Sequence, residues 1–213
     1  MEPLHPRGFT LIELLVVLAI ITIVMAIVFT GQSSFNKTLI LENTAYDVAL
    51  TFRVAETYGL NSRSVNTIPA MESVGYGIHF SESAPNSFIL FNDTTGGPLC
   101  SSGEPDCNPG DHLYESGEMM QSYNLGNGMT ISGFCAINSL TQSCSGVSGG
   151  LTSLDISFAR PNPDTFIGAV SGAGSDTTSY NEACLVVSSP QNESRYVWVR
   201  PSGEISVNQT PCR

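Results

Sequence analysis

The chain has 213 residues, 41% of them hydrophobic and 13% charged, with eight Lys and Arg against nineteen Asp and Glu for a net charge of −11. A carboxylate surplus of that size repels phosphate backbones and anionic headgroups, which argues against nucleic acid as a partner. The length suits one ordinary domain plus a short additional segment, and much of the apolar content sits in the first thirty residues.

The first element is the run from Phe9 to Phe29, whose only charge is Glu13. At about 1.5 Å per residue it spans about 30 Å, the thickness of a bilayer core. A cleaved secretory signal explains it poorly, because the following MAIVFTGQS offers no clear small-x-small cleavage site. An ordinary anchor does not explain Glu13. A lone carboxylate inside an apolar span costs roughly 2.5–3.5 kcal/mol on insertion scales, so such a group is expected to have a partner.

The residues before Glu13 suggest which partner. Gly8-Phe9-Thr10-Leu11-Ile12-Glu13, preceded by Arg7, resembles the prepilin processing site of the type IV pilin superfamily. The resemblance implies that a prepilin peptidase cuts after Gly8, and that Phe9 becomes an N-methylated terminus. It also implies that Glu13 meets the terminal amine of a neighbouring subunit during assembly. A buried carboxylate is tolerated when a positive charge sits against it. His5 and Arg7 before the span, with no further Lys or Arg until Lys37, predict a cytoplasmic leader and an extracytoplasmic bulk.

Beyond the span, Ala45, Val48, Ala49, Phe52 and Ala55 recur at helical spacing, and Gly59 reads as the residue just past a helix end. Gly31 is a place where the helix could loosen. A helix from Phe9 to Tyr58 would measure about 75 Å. The remainder reads as β. Candidate strands are Val74–Phe80, Ser87–Asn92, Gly128–Phe134, Ser153–Ala159, Ala183–Ser188, Arg195–Arg200 and Glu204–Val207, with loops over 93–112, 138–152 and 171–182. Pro201-Ser202-Gly203 predicts a tight turn between the last two strands.

In that order YGIHF, SFILFND, LDISFARP and VWVRPSGEISV resemble the minor pseudopilin family that includes the H-type subunit of type II secretion and the FimT-type pilins. That resemblance implies a long helix against two antiparallel sheets. Some FimT-type members capture DNA through a basic C-terminal region. Here Arg195, Arg200 and Arg213 are interspersed with Glu193 and Glu204, and Glu204 stands where the family often has Arg.

Six cysteines, Cys100, Cys107, Cys135, Cys144, Cys184 and Cys212, allow fifteen pairings. Their spacing suggests three local loops, 100–107, 135–144 and 184–212, formed in an oxidising compartment. No CxxC occurs, so zinc, with His79 and His112 as helpers, is a poor alternative. No cofactor is called for. The acidic stretch Glu104, Asp106, Asn108 and Asp111 could hold calcium, although Pro109 stands where a calcium-binding helix–loop–helix needs Gly. There is no GxSxG, HExxH or phosphate loop, and cysteines held in disulfides are not nucleophiles, so the chain does not read as an enzyme.

The sequence therefore predicts an α+β protein, a long N-terminal helix packed on an antiparallel β head. Its expected parts are a leader at 1–8, a transmembrane and assembly helix at 9–30, an extracytoplasmic helix at 31–59 and a head at 60–213. The expected role is a minor pilin or pseudopilin, single-pass in the inner membrane, with its head in the periplasm or on a surface filament. Expected partners are other pilin subunits and the prepilin peptidase. The alternatives are a DNA-uptake minor pilin and a major pilin.

Overall fold

The computed structural model describes residues 8–61, 75–93, 112–159, 165–172 and 174–212. One helix, α1, runs unbroken from Leu11 to Asn61, through Gly31 and past Gly59. The chain divides into two compact units, one ending at Leu39 and the other beginning at Ile40.

In the first unit, Leu11–Phe29 is uniformly apolar, with a mean hydropathy of 3.1 over 19 residues and none of them buried. Such a segment is long and apolar enough to cross a bilayer.

In the second unit α1 carries a narrow apolar stripe. Leu41, Ala45, Val48, Phe52 and Ala55 alternate in steps of four and three, which keeps them on one side, and all are buried. Gly59 is the next member of that series. A Cβ there would collide with the backbone carbonyl of Phe158. Gly59 therefore does not end the helix, as its sequence context suggested. It lets the helix backbone approach a strand more closely than any side chain would allow.

Eleven strands follow: β1 (Gly75–Ser81), β2 (Ser87–Asp93), β3 (Met119–Asn124), β4 (Thr130–Ile137), β5 (Gln142–Cys144), β6 (Leu151–Ala159), β7 (Thr165–Ser171), β8 (Gly174–Tyr180), β9 (Glu182–Ser188), β10 (Ser194–Val199) and β11 (Ile205–Asn208). They form two sheets with antiparallel pairing throughout, ordered β3-β2-β1-β6-β7-β8 and β11-β10-β9-β4-β5. The seven expected strands are present with small shifts at their ends. Four others, β3, β5, β7 and β8, were not expected. β5 and β8 lie inside segments read as loops. β3, β5 and β8 are short or polar strands at sheet edges, where one neighbour suffices and no apolar alternation is needed, whereas β7 is an apolar strand paired on both sides.

Cross-strand register decides which side chains meet. In the first sheet Leu90, Ile78 and Ile156 are paired neighbours, as are Tyr76 with Phe158 and Phe80 with Leu154. In the second, Phe134, Leu185 and Val197 form a row, and Ala136, Ala183 and Val199 form another. These inward rows and the α1 stripe make one hydrophobic cluster. Phe52 meets Phe80 with ring centroids 5.8 Å apart. The turn after β10 closes as expected: Arg200 and Glu204 pair through the backbone at 3.0 Å, and Gly203 takes a φ of +75°.

The first sheet is buried on its other side too. There, Gly77 leaves space for the Phe91 ring and Gly168 for Leu113. Tyr114 packs edge-on against Phe91.

Gly59→Ala should lower stability. A better helix former gains about 1 kcal/mol in propensity, whereas forcing the helix off Phe158 costs about 1–3 kcal/mol and has no flexible side chain to absorb it. The midpoint of thermal unfolding should therefore fall, whereas Gly126→Ala, where an added methyl meets nothing within 4 Å, should leave it nearly unchanged.

Candidate functional site

The segment with the most unusual chemistry is the start of α1. Gly8, Phe9 and Thr10 precede the helix. Thr10 caps it: its Oγ1 accepts the Glu13 N–H at 3.3 Å, and its carbonyl accepts the Leu14 N–H at 3.2 Å. Thr10-Leu11-Ile12-Glu13 thus has the spacing of a capping box, with Glu13 at the third helical position. This is a second reason for a carboxylate at 13, since the helix N-terminus favours negative charge. The T-x-x-E signal was available in the sequence and was not used there.

Capping does not satisfy the carboxylate itself. Glu13 is exposed, and its side chain has no hydrogen-bond or ion-pair partner among the described residues. Thr22, the neighbouring polar side chain in the span, donates to the Ala19 carbonyl at 2.9 Å and so costs little in lipid. The two residues are handled differently, one satisfied locally and one not. Gly8 is also informative: a Cβ there would meet nothing within 4 Å. Packing among the described residues does not require glycine at that position.

Two of the three suggested cysteine pairs lie among the described residues, and both are bonded. Cys135 joins Cys144 and Cys184 joins Cys212. Cys135 faces both Cys184 and Cys144 in register, so three of these cysteines form one transverse row on the outer face of the second sheet. Cys100 and Cys107, and with them Glu104, Asp106, Asn108 and Asp111, lie outside the described residues. Among the described residues no group of three His, Cys, Asp or Glu could hold a metal ion.

The histidines are engaged with acids. His79 and Asp155 are direct cross-strand partners, which brings Nδ1 within 2.6 Å of Oδ1 on the covered side of the first sheet. Tyr114 packs against the His79 ring at 4.6 Å. The His112 backbone N–H donates to Asp93, its Nδ1 lies 3.1 Å from the Ser157 hydroxyl, and its ring stacks on Phe166 at 3.9 Å. These contacts pin the 112–118 segment onto the sheet.

Three of the arginines also have partners. Arg53 pairs with Glu56 at 2.8 Å, Arg200 pairs with Glu204 at 3.2 Å, and Arg195 donates to the Ser194 carbonyl. Glu204, where a basic residue would have strengthened a DNA-binding patch, neutralises its neighbour instead.

The model of the prokaryotic N-terminal methylation motif matches residues 5–29 of the chain. No curated protein and no solved structure matches it. The chain thus bears the N-terminal signature of the type IV pilin superfamily, on a helix able to anchor it once in a membrane. That signature points to a structural subunit assembled with other pilins.

The two disulfides should differ in weight. Loop-closure entropy assigns about 3.5 kcal/mol to a bridge closing 28 residues and about 2.5 kcal/mol to one closing nine. Urea unfolding of Cys184→Ser/Cys212→Ser should therefore show the larger loss, with Cys135→Ser/Cys144→Ser about 1 kcal/mol less affected.

Proposed function

We propose that the protein is a minor pilin or pseudopilin, a subunit of a type IV pilus or a type II secretion pseudopilus. It is cleaved after Gly8 by a prepilin peptidase, methylated at Phe9 and held in the inner membrane by Leu11–Phe29 until it enters a filament. The head then lies in the periplasm or on the filament surface.

The observation that carries this reading is the Glu13 carboxylate, without a partner among the described residues in a span that is otherwise apolar and whose other polar side chain is satisfied. Within the matched motif, cleavage after Gly8 would create an ammonium group at Phe9. In a neighbouring subunit that ammonium can meet Glu13. The pair is costly while apart in lipid and stabilising when joined, because each charge relieves the other's desolvation. Since each subunit has one such acid and one such amine, their meeting sets the axial step between subunits. The absence of any packing demand for glycine at position 8 fits a constraint imposed by the peptidase that reads it.

The minor role is supported by the resemblance of the strand sequences of β1, β2, β6 and β10–β11 to minor pseudopilins. A major pilin is the main alternative, and abundance separates the two: quantitative mass spectrometry of purified filaments should find this chain in trace amounts beginning at Phe9. One copy for every filament repeat would make it the major subunit.

Glu13 lies in the turn that Thr10 caps and also carries a charge, and two variants divide the cap from the charge. Glu13→Gln leaves the Thr10 cap in place and removes the charge, so membrane insertion and cleavage should persist while filament incorporation falls at least tenfold. Thr10→Val removes the cap at a cost of about 1 kcal/mol and should leave incorporation close to wild type. The opposite ranking in a quantitative filament pull-down would assign the role to the helix cap and not to the Glu13 charge.

A further inference from the structure

The outer face of the second sheet carries a depression of about 510 Å³. Register explains its construction. Ile137 pairs with Gln142 on one side and Glu182 on the other, so these three side chains form a transverse row across β5, β4 and β9. Trp198 lies on the same face, one row away beside Cys184. The β4–β5 connection, residues 138–141, forms the rim with Asn181.

The walls are held rigidly. Asn138 Oδ1 accepts from the Leu140 and Thr141 backbone N–H groups at 2.9 and 2.7 Å and from the Thr141 hydroxyl at 3.0 Å. The Asn181 N–H donates to the Ile137 carbonyl at 3.0 Å. Trp198 Nε1 donates to the Thr210 carbonyl at 3.2 Å, on a segment tied down through Cys184–Cys212. Locked in that way, the rim holds Leu140 out at 90% exposure, an apolar side chain with nothing to cover it. A hollow whose walls are already ordered loses little entropy when it is filled.

The lining selects a ligand class. Its one charged side chain is Glu182, whose carboxylate has no hydrogen-bond or ion-pair partner among the described residues. Among the described residues no Lys, Arg or His lines the hollow, which argues against phosphate, sulfate and carboxylate ligands. The Gln142 amide spends its donors on the Cys135 and Cys144 sulfurs, weak acceptors that a better partner would displace. Hydroxyl and amide groups outnumber apolar ones, which excludes an acyl chain. What remains is a ligand with many hydroxyls and one apolar surface, set against Leu140, Ile137 and the edge of the indole. The volume lies within the roughly 300–1,000 Å³ of small-molecule sites.

We propose that this hollow binds a neutral saccharide, with Glu182 and Gln142 as the side chains that take its hydroxyls.

Trp198 is the sole tryptophan of the chain, so its emission reports on the site directly. The full chain, kept in a zwitterionic detergent that contains no sugar, would be titrated with glucose, galactose, mannose and N-acetylglucosamine. At least one should give a saturable emission change with a millimolar dissociation constant. Glu182→Ala and Gln142→Ala should each weaken that binding about tenfold, equivalent to about 1.4 kcal/mol, with an unchanged thermal unfolding midpoint. Inorganic phosphate should produce no change. Absence of saturation by all four sugars would overturn the assignment, as would equal binding by both variants or saturation by phosphate.

Discussion

Along α1 the side chains must satisfy two different surroundings, and most of the protein follows from that. Over Leu11–Phe29 the helix is apolar all round, as a helix must be when lipid or other apolar helices surround it. Over Leu41–Gly59 only a stripe is apolar, because only one side faces the core. The stripe mixes small residues, Ala45, Ala55 and Gly59, with the large Leu41, Val48 and Phe52. The small members let the backbone come close, and the large ones fill the space between the sheets. Replacing the small members by larger apolar ones would raise hydrophobicity and lose the fit.

Both faces of the first sheet are covered, and this changes what its polar residues can be. Asp155 and Ser157 on β6 are almost fully buried. A buried carboxylate costs several kcal/mol unless it is met by a partner with good geometry. His79 supplies one from the adjacent strand, in direct register. The His79–Asp155 pair and the His112 contacts hold the 112–118 segment in place by hydrogen bonds and ring stacking. That part of the head is specified by direction as well as by hydrophobic contact.

Much of this was legible in the sequence, for identifiable reasons. The membrane-length run, Glu13 and the residues before it are local, contiguous signals. The strands of the sheet centres announce themselves through Val, Ile, Phe and Tyr, as in SFILFN and RYVWVR. The 184–212 and 135–144 pairings follow from proximity along the chain, since both close short loops. The illegible parts depend on what lies across space. Gly59 reads as a stop signal because Phe158 is ninety-nine positions away in the sequence. β3 and β8 are written in Ser, Gln, Thr and Asp, residues that serve a sheet edge and a loop equally well. His79 could be placed on a strand but not beside Asp155, since register between β1 and β6 is a long-range property. The hollow near Trp198 is likewise a product of register, assembled from four strands and the connections between them.

The order of strands along the chain has a further consequence. β1–β3 belong to one sheet, β4 and β5 to the other, β6–β8 to the first again, and β9–β11 to the second. Neither sheet is a continuous stretch: the first has all its strands once β8 is made, and the second only once β9–β11 follow. When β8 has been made, β4 and β5 still lack their central neighbour, and Cys184 and Cys212 have not met. The hydrophobic cluster that both sheets share is completed only by β9–β11, the last strands of the chain.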